Sequence, residues 1–101
     1  ECYKIFDIAK IISEKGNINS ITDAAISAVM AKAGLNGAVL NVRINLNSIK
    51  DEKFVSDTNK KLDELEIKAN SKLKEIFEII NKKMWLDIHL FLSTLYILFF
   101  L

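Results

Sequence analysis

Gly16-Asn17-Ile18-Asn19-Ser20-Ile21-Thr22-Asp23 is the stretch whose reading sets the architecture. Upstream of it, Ile5, Ile8, Ala9 and Ile12 recur at i, i+3, i+4 and i+7. That spacing predicts an amphipathic helix over residues 2–15 with these four on its packed side. Lys15 falls in its last turn and Gly16 follows as a stop. Asn17 to Asn19 form the connection. Ser20 is then the expected N-cap of the next helix, with Asp23 three residues on completing a Ser-x-x-Asp signature.

Working outward, the second helix is expected over residues 21–46. Its first half is rich in alanine (Ala24, Ala25, Ala28, Ala31, Ala33), which favours helix and lets a neighbouring helix come close. Gly34 and Gly37 each cost about 1 kcal/mol relative to alanine, which implies that something needs the space; a break into two shorter helices is the alternative. Asn47-Ser48 opens a second turn, and Asp51 and Glu52 suit the positive start of a third helix. That helix is expected to reach about residue 80, with Leu62, Leu65, Ala69, Leu73, Ile76 and Ile80 along one side. The reading is therefore all-α: a long-helix bundle of about three helices, residues 1–80, plus an apolar C-terminal helical tail, residues 81–101.

The chain has 101 residues, half of them apolar, with 14 basic and 13 acidic side chains interleaved. One modest globular domain is what that length and balance allow. No basic block stands out, so composition excludes a nucleic-acid partner. Cys2 is the one cysteine and His89 the one histidine, which leaves neither a disulfide framework nor a metal-ligand cluster, and a cytoplasmic setting fits. Proline is absent and glycine occurs three times, as long helices require. The chain starts at Glu1 in mid-pattern, without the look of a signal peptide, so further residues are expected upstream.

The tail changes composition abruptly at Met84. Its apolar run approaches the ~20 residues that span a bilayer, but Asp87 and His89 interrupt it. Three readings apply: a membrane anchor, a core helix, or a non-native extension arising from a frameshift near Lys82. The extension is preferred, because Phe, Leu, Ile and Tyr are what AT-rich DNA yields in an arbitrary frame. The anchor comes second.

Gly16-Asn17-x-Asn19-Ser20-x-x-Asp23, then Ala31-x-Ala33-x-x-x-Gly37-Ala38-x-x-Asn41-Val42-x-Ile44-Asn45-Leu46, then Ile49-Lys50-Asp51-Glu52-x-Phe54, resemble the cyclodeaminase/cyclohydrolase family over about residues 3–80. The resemblance implies an all-helical domain, homodimeric when complete, that takes a tetrahydrofolate derivative as its small-molecule substrate and uses no metal. It implies formimidoyltetrahydrofolate cyclodeaminase or methenyltetrahydrofolate cyclohydrolase chemistry. This chain matches the later half of such a domain, so a noncatalytic helical remnant or interaction module is the alternative.

In the cyclodeaminase reaction N10 attacks the formimino carbon carried on N5, and ammonia leaves to give the 5,10-methenyl cation. In the cyclohydrolase reaction water attacks that carbon and the ring opens. Both need a group that moves a proton, and both benefit from negative charge beside the cation. The second helix places Asp23, Ser27, Gly34, Asn41 and Asn45 along one side, and Asp23 is the one carboxylate there. Asp23 is the candidate catalytic residue; helix capping is its competing role. Asn17, Asn19 and Ser20 are candidates for the amide edge of the pterin, against ordinary turn and cap chemistry. Asn41 and Asn45 either hold substrate or tie the helix to a neighbour. Arg43, on the opposite side, is a surface arginine or a grip for a folate carboxylate. A membrane partner enters only if the tail is an anchor.

Overall fold

The computed structural model describes residues 1–100; Leu101, which the tail includes, lies outside them. Three helices follow one another, α1 (Cys2–Lys15), α2 (Ile18–Leu46) and α3 (Glu52–Phe100), and each packs against the other two. The all-α expectation holds.

The first turn is tighter than its sequence suggests. Gly16 is extended (φ −78°, ψ 162°), and its backbone N–H donates to the Ile12 carbonyl. A Cβ at Gly16 would lie 2.6 Å from that carbonyl oxygen and 2.9 Å from Ser20 Cβ, so the position needs glycine for space. Asn17, and not Ser20, caps α2. Its backbone is extended, and its Oδ1 accepts from the Ser20 N–H at 3.0 Å and from the Ser20 hydroxyl at 3.2 Å. The reason is local: the Asn17 carbonyl already accepts from the Ile21 N–H at 2.9 Å, so the helix has begun before Ser20 is reached. Asp23 therefore sits beyond the capping turn.

α2 runs unbroken through Gly34 and Gly37. A Cβ at Gly34 would press on Cys2 Sγ at 3.3 Å, whereas one at Gly37 would meet nothing within 4 Å. Of these two glycines, Gly34 answers to a close neighbour within the chain and Gly37 does not. Asp51, expected only as an acidic residue at the positive start of α3, also caps it, its Oδ1 accepting from the Phe54 N–H at 3.0 Å.

The core joins Phe6 and Ala9 of α1, Ile21, Ala24, Ala28, Ala31, Leu35 and Val39 of α2, and Ala69, Ile76 and Ile80 of α3. Leu62, Leu65 and Leu73 pack against it, so the expected α3 seam is the observed one. On α1 the core takes Ala9 from the expected stripe but not its three isoleucines. Phe6, Ala9 and Ser13 are buried, while Ile5, Ile8 and Ile12 are 39%, 59% and 38% exposed. Both arcs of α1 are apolar, and the alanine surface of α2 accommodates the bulk of Phe6. Ser13 is fully buried and satisfied, its hydroxyl donating to the Ala9 carbonyl at 2.7 Å.

Ion pairs tie the helices together at the rim. Lys10 meets Glu75 at 2.7 Å and Lys72 meets Asp7 at 3.2 Å, joining α1 to α3. Arg43 of α2 reaches Asp63 at 2.7 Å and Glu66 at 2.9 Å on α3. Lys83 donates to the Glu14 carbonyl. Beyond Lys83 no residue of α3 is buried, and its one neighbour from another helix is Ile18, which shares a shallow groove with Met84, Asp87, Ile88 and Phe91. The tail is thus the outer part of α3 and not a separate helix. It stretches the molecule to 76 Å and its radius of gyration to 19.8 Å, against about 13 Å for a compact chain of this length.

Candidate functional site

The isoleucines that α1 leaves outside the core form the wall of a groove against the start of α2. Ile5, Ile8, Ala9 and Ile12 face Ser20, Asp23, Ala24 and Ser27 across a space of about 430 Å³. Small residues on α2 open this space, because Ser20, Ala24 and Ser27 project little from the helix. Asp23 is the one charged group on its walls. No other side chain among the described residues donates to its carboxylate: the Ser27 hydroxyl bonds the Asp23 backbone carbonyl at 2.9 Å, and Ser20 is turned to Asn17. An apolar cleft holding one free carboxylate is suited to a flat cationic ligand, whose charge the carboxylate offsets and whose ring the isoleucines cover.

The structure divides the expected site residues into two groups. Ser20 and Asp23 line the groove. Asn17 is adjacent, with its carbonyl oxygen committed to the cap, and Asn19 is exposed on the first turn of α2 outside the lining. Asn41 and Asn45 are exposed on the same side of α2, but at ~1.5 Å per residue they lie about 27 Å and 33 Å further along it than Asp23. One chain does not bring them to the carboxylate. Arg43 is committed elsewhere. Its hydrogen bond to Asp63 is the main reason its guanidinium holds its proton still more firmly than an ordinary arginine, with Glu66 adding to this. Its role is to clamp α2 to α3.

The isoleucine wall was missed as part of a site because its helical spacing is also that of a core stripe. Its signal was in the sequence: α1 carries apolar residues on two arcs, and one of them had to be left over. A second groove, about 340 Å³, lies at the other end of α1 between Cys2, Tyr3, Leu35, Val39, Leu62 and their neighbours, with Glu1 its one charged residue.

Comparison with known proteins gives this geometry a setting. The family model described as formiminotransferase-cyclodeaminase matches residues 1–64. Methenyltetrahydrofolate cyclohydrolase of Methylorubrum extorquens is 36% identical over 83 residues, 82% of this chain and 40% of that protein. Formimidoyltransferase-cyclodeaminases of Dictyostelium discoideum and Gallus gallus are 32% and 31% identical over 72 and 74 residues. Those stretches cover 71% and 73% of this chain but 13% and 14% of theirs. The chain thus spans well under half the length of these relatives. No solved structure matches.

Proposed function

From the premise that this chain belongs to the formiminotransferase-cyclodeaminase family, we propose that it serves folate one-carbon metabolism, with the α1–α2 groove as one wall of a tetrahydrofolate site. The observation that carries the reading is the single carboxylate of Asp23 in an otherwise uncharged groove. The reacting species in both family reactions is cationic at the carbon between N5 and N10. A carboxylate beside it stabilises that charge and takes a proton. In the cyclohydrolase direction the proton comes from the attacking water, as its oxygen bonds to the methenyl carbon. In the cyclodeaminase direction N10 surrenders a proton as it bonds that carbon, and the departing amine gains one to leave as ammonia. Asp23 serves either transfer, and Ser20 presents a hydroxyl to the pterin edge. A cytoplasmic location accords with such a substrate.

The test is Asp23→Asn. Because Asn17 supplies the cap, this change leaves the α2 terminus intact and removes only charge and basicity. Turnover of 5,10-methenyltetrahydrofolate or formimidoyltetrahydrofolate should fall by roughly 100-fold or more with thermal stability unchanged. Equal turnover in both proteins would remove Asp23 from the chemistry.

A scaffold without turnover is the second reading, and it is favoured by the groove having walls from α1 and α2 alone. A chain that binds no folate analogue yet keeps its helicity would establish it.

A further inference from the structure

Past Lys83 the surface of α3 is apolar on every side. From Met84 to Phe100 each residue is exposed except Leu95, which is half-buried. Leu90, Phe91 and Leu92 are consecutive and so stand about 100° apart around the helix; they are 65%, 63% and 58% exposed. Phe100, 73% exposed, falls on the side these three leave open. A partner helix covers one arc and leaves the opposite arc to water, which keeps that arc polar. A surface apolar all round, projecting off the end of the bundle, matches a continuous apolar medium instead.

The backbone meets the demand of such a medium. α3 is one unbroken helix from Glu52 to Phe100, so the amides of this segment are paired along its own axis. The Thr94 hydroxyl is satisfied in the same way by the Leu90 carbonyl.

Polarity is also ordered along the axis. Lys82 and Lys83 stand at the base. Asp87 and His89 follow within the next two turns, and the Trp85 ring lies 4.9 Å from the His89 imidazole. No charged side chain follows from Leu90 to Phe100. Cations at lipid phosphates, tryptophan and polar groups at the interface, and hydrocarbon beyond is the order a bilayer imposes. The length fits too: residues 84–100 rise about 25 Å at ~1.5 Å per residue, against a hydrocarbon core of ~30 Å.

The bundle is shaped to rest on such a surface. Lys83 donates to the Glu14 carbonyl, which brings Lys15, in the last turn of α1, to the same end of the molecule. Three lysines there outweigh the carboxylates of Glu14 and Asp87. Ile18, exposed at the start of α2, shares a groove with Met84, Asp87, Ile88 and Phe91. The α1–α2 turn therefore sits beside the first turns of the apolar segment.

We propose that residues 84–100 insert into a phospholipid bilayer, with Trp85 at the interface and the α1–α2 turn of the bundle on the headgroups. How the segment arose and what covers it are independent, since a helix with this surface partitions into lipid whatever its origin. The insertion does not rest on the folate reading of the groove.

The experiment uses the full chain with Cys2→Ser and a fluorescent label at Leu95→Cys, mixed with vesicles of phosphatidylcholine and phosphatidylglycerol. Trp85 is the one tryptophan and reports its own depth. The chain should float with the vesicles. Lipids brominated near the headgroup should quench Trp85 best, and lipids brominated near the chain ends should quench the label, which lies about 15 Å further along the helix. Equal, shallow quenching at both positions would mean a helix lying flat on the surface. Sedimentation without the vesicles would mean that the segments cover one another, and a chain left free in solution would mean no affinity for lipid; each of the three overturns the proposal. Leu92→Lys, far from the bundle, should lower the vesicle-bound fraction at least tenfold with helicity kept. Undiminished binding by that variant would overturn insertion as well.

Discussion

α2 and the outer part of α3 are both long and apolar enough to cross a membrane, yet the chain treats them oppositely. α2 is gripped on one side by both other helices, with Ile21, Ala24, Ala28, Ala31, Leu35 and Val39 in the core. Residues 84–100 touch no core at all; Phe91, Leu98 and Phe99 are 63%, 72% and 78% exposed. Apolar content is similar, so content does not decide the environment. Spacing and side-chain size do. α2 alternates small and branched residues along a stripe that another helix can fit, whereas the outer α3 is bulky around its whole circumference and offers no stripe.

The strongest way to break this comparison is to remove one member of it. Deleting residues 84–101 should raise the soluble fraction several-fold and leave helicity per residue about the same, because every core residue remains. Expression partitioning and circular dichroism measure both. Unfolding of the shortened chain would make the outer helix part of the core after all. Transfer of a soluble reporter to membranes by residues 84–101 would establish the anchor reading over the non-native extension preferred from composition. For a lipid role the features are Lys82 and Lys83 at the inner end and the Thr94 hydroxyl satisfied by the Leu90 carbonyl at 2.9 Å.

A paired substitution sharpens the contrast within one helix. Ile76→Ala empties a fully buried site and should cost about 2–5 kcal/mol in urea unfolding. Ile97→Ala, 54% exposed on the same helix, should stay within about 0.5 kcal/mol. Equal losses would mean that the outer turns pack as tightly as the inner ones.

The smallest expected effect is electrostatic. The hydrogen bond from Lys10 holds the Glu75 carboxyl below its ordinary value, and the same bond raises the Lys10 ammonium above its own. A depressed carboxyl stabilises the fold above its unfolded value and loses that contribution as pH falls through the folded one. A raised lysine contributes below its unfolded value and loses it as pH rises through the folded one. Stability from this pair should therefore be flat between about pH 5 and pH 10 and decline slightly outside that window. The decline should shrink in salt. Both partners are well solvated, so the change should be small, and Glu75→Gln should remove its acid limb. The tail-deleted chain should show the same profile, since the pair lies wholly within the bundle.

Much of the architecture could be read from residue order. The stop at Gly16, the acidic start at Asp51 and Glu52 and the α3 stripe from Leu62 to Ile80 each depend on neighbours within a turn or two. Periodicity reports such features directly. The family was legible too, through ordered blocks of Asn, Ser, Asp and small residues. The candidate site was only half legible. Ser20 and Asp23 fall in one groove, but helix-face arithmetic grouped Asp23 with Asn41 and Asn45, because angle around a helix ignores distance along it.

What only the tertiary structure decided were choices between equals. Asn17 and Ser20 are both good caps three residues apart, and the backbone entering α2 selects Asn17. Two arcs of α1 are apolar, and the shape of the alanine surface buries Phe6 and leaves the isoleucines to line a groove. Arg43 carries no sign in sequence of Asp63 and Glu66, which lie twenty and twenty-three residues away. Local sequence fixes what a segment can form, because hydrogen bonding and periodicity act within a few residues. Which face is covered depends on the fit of surfaces that meet only after folding.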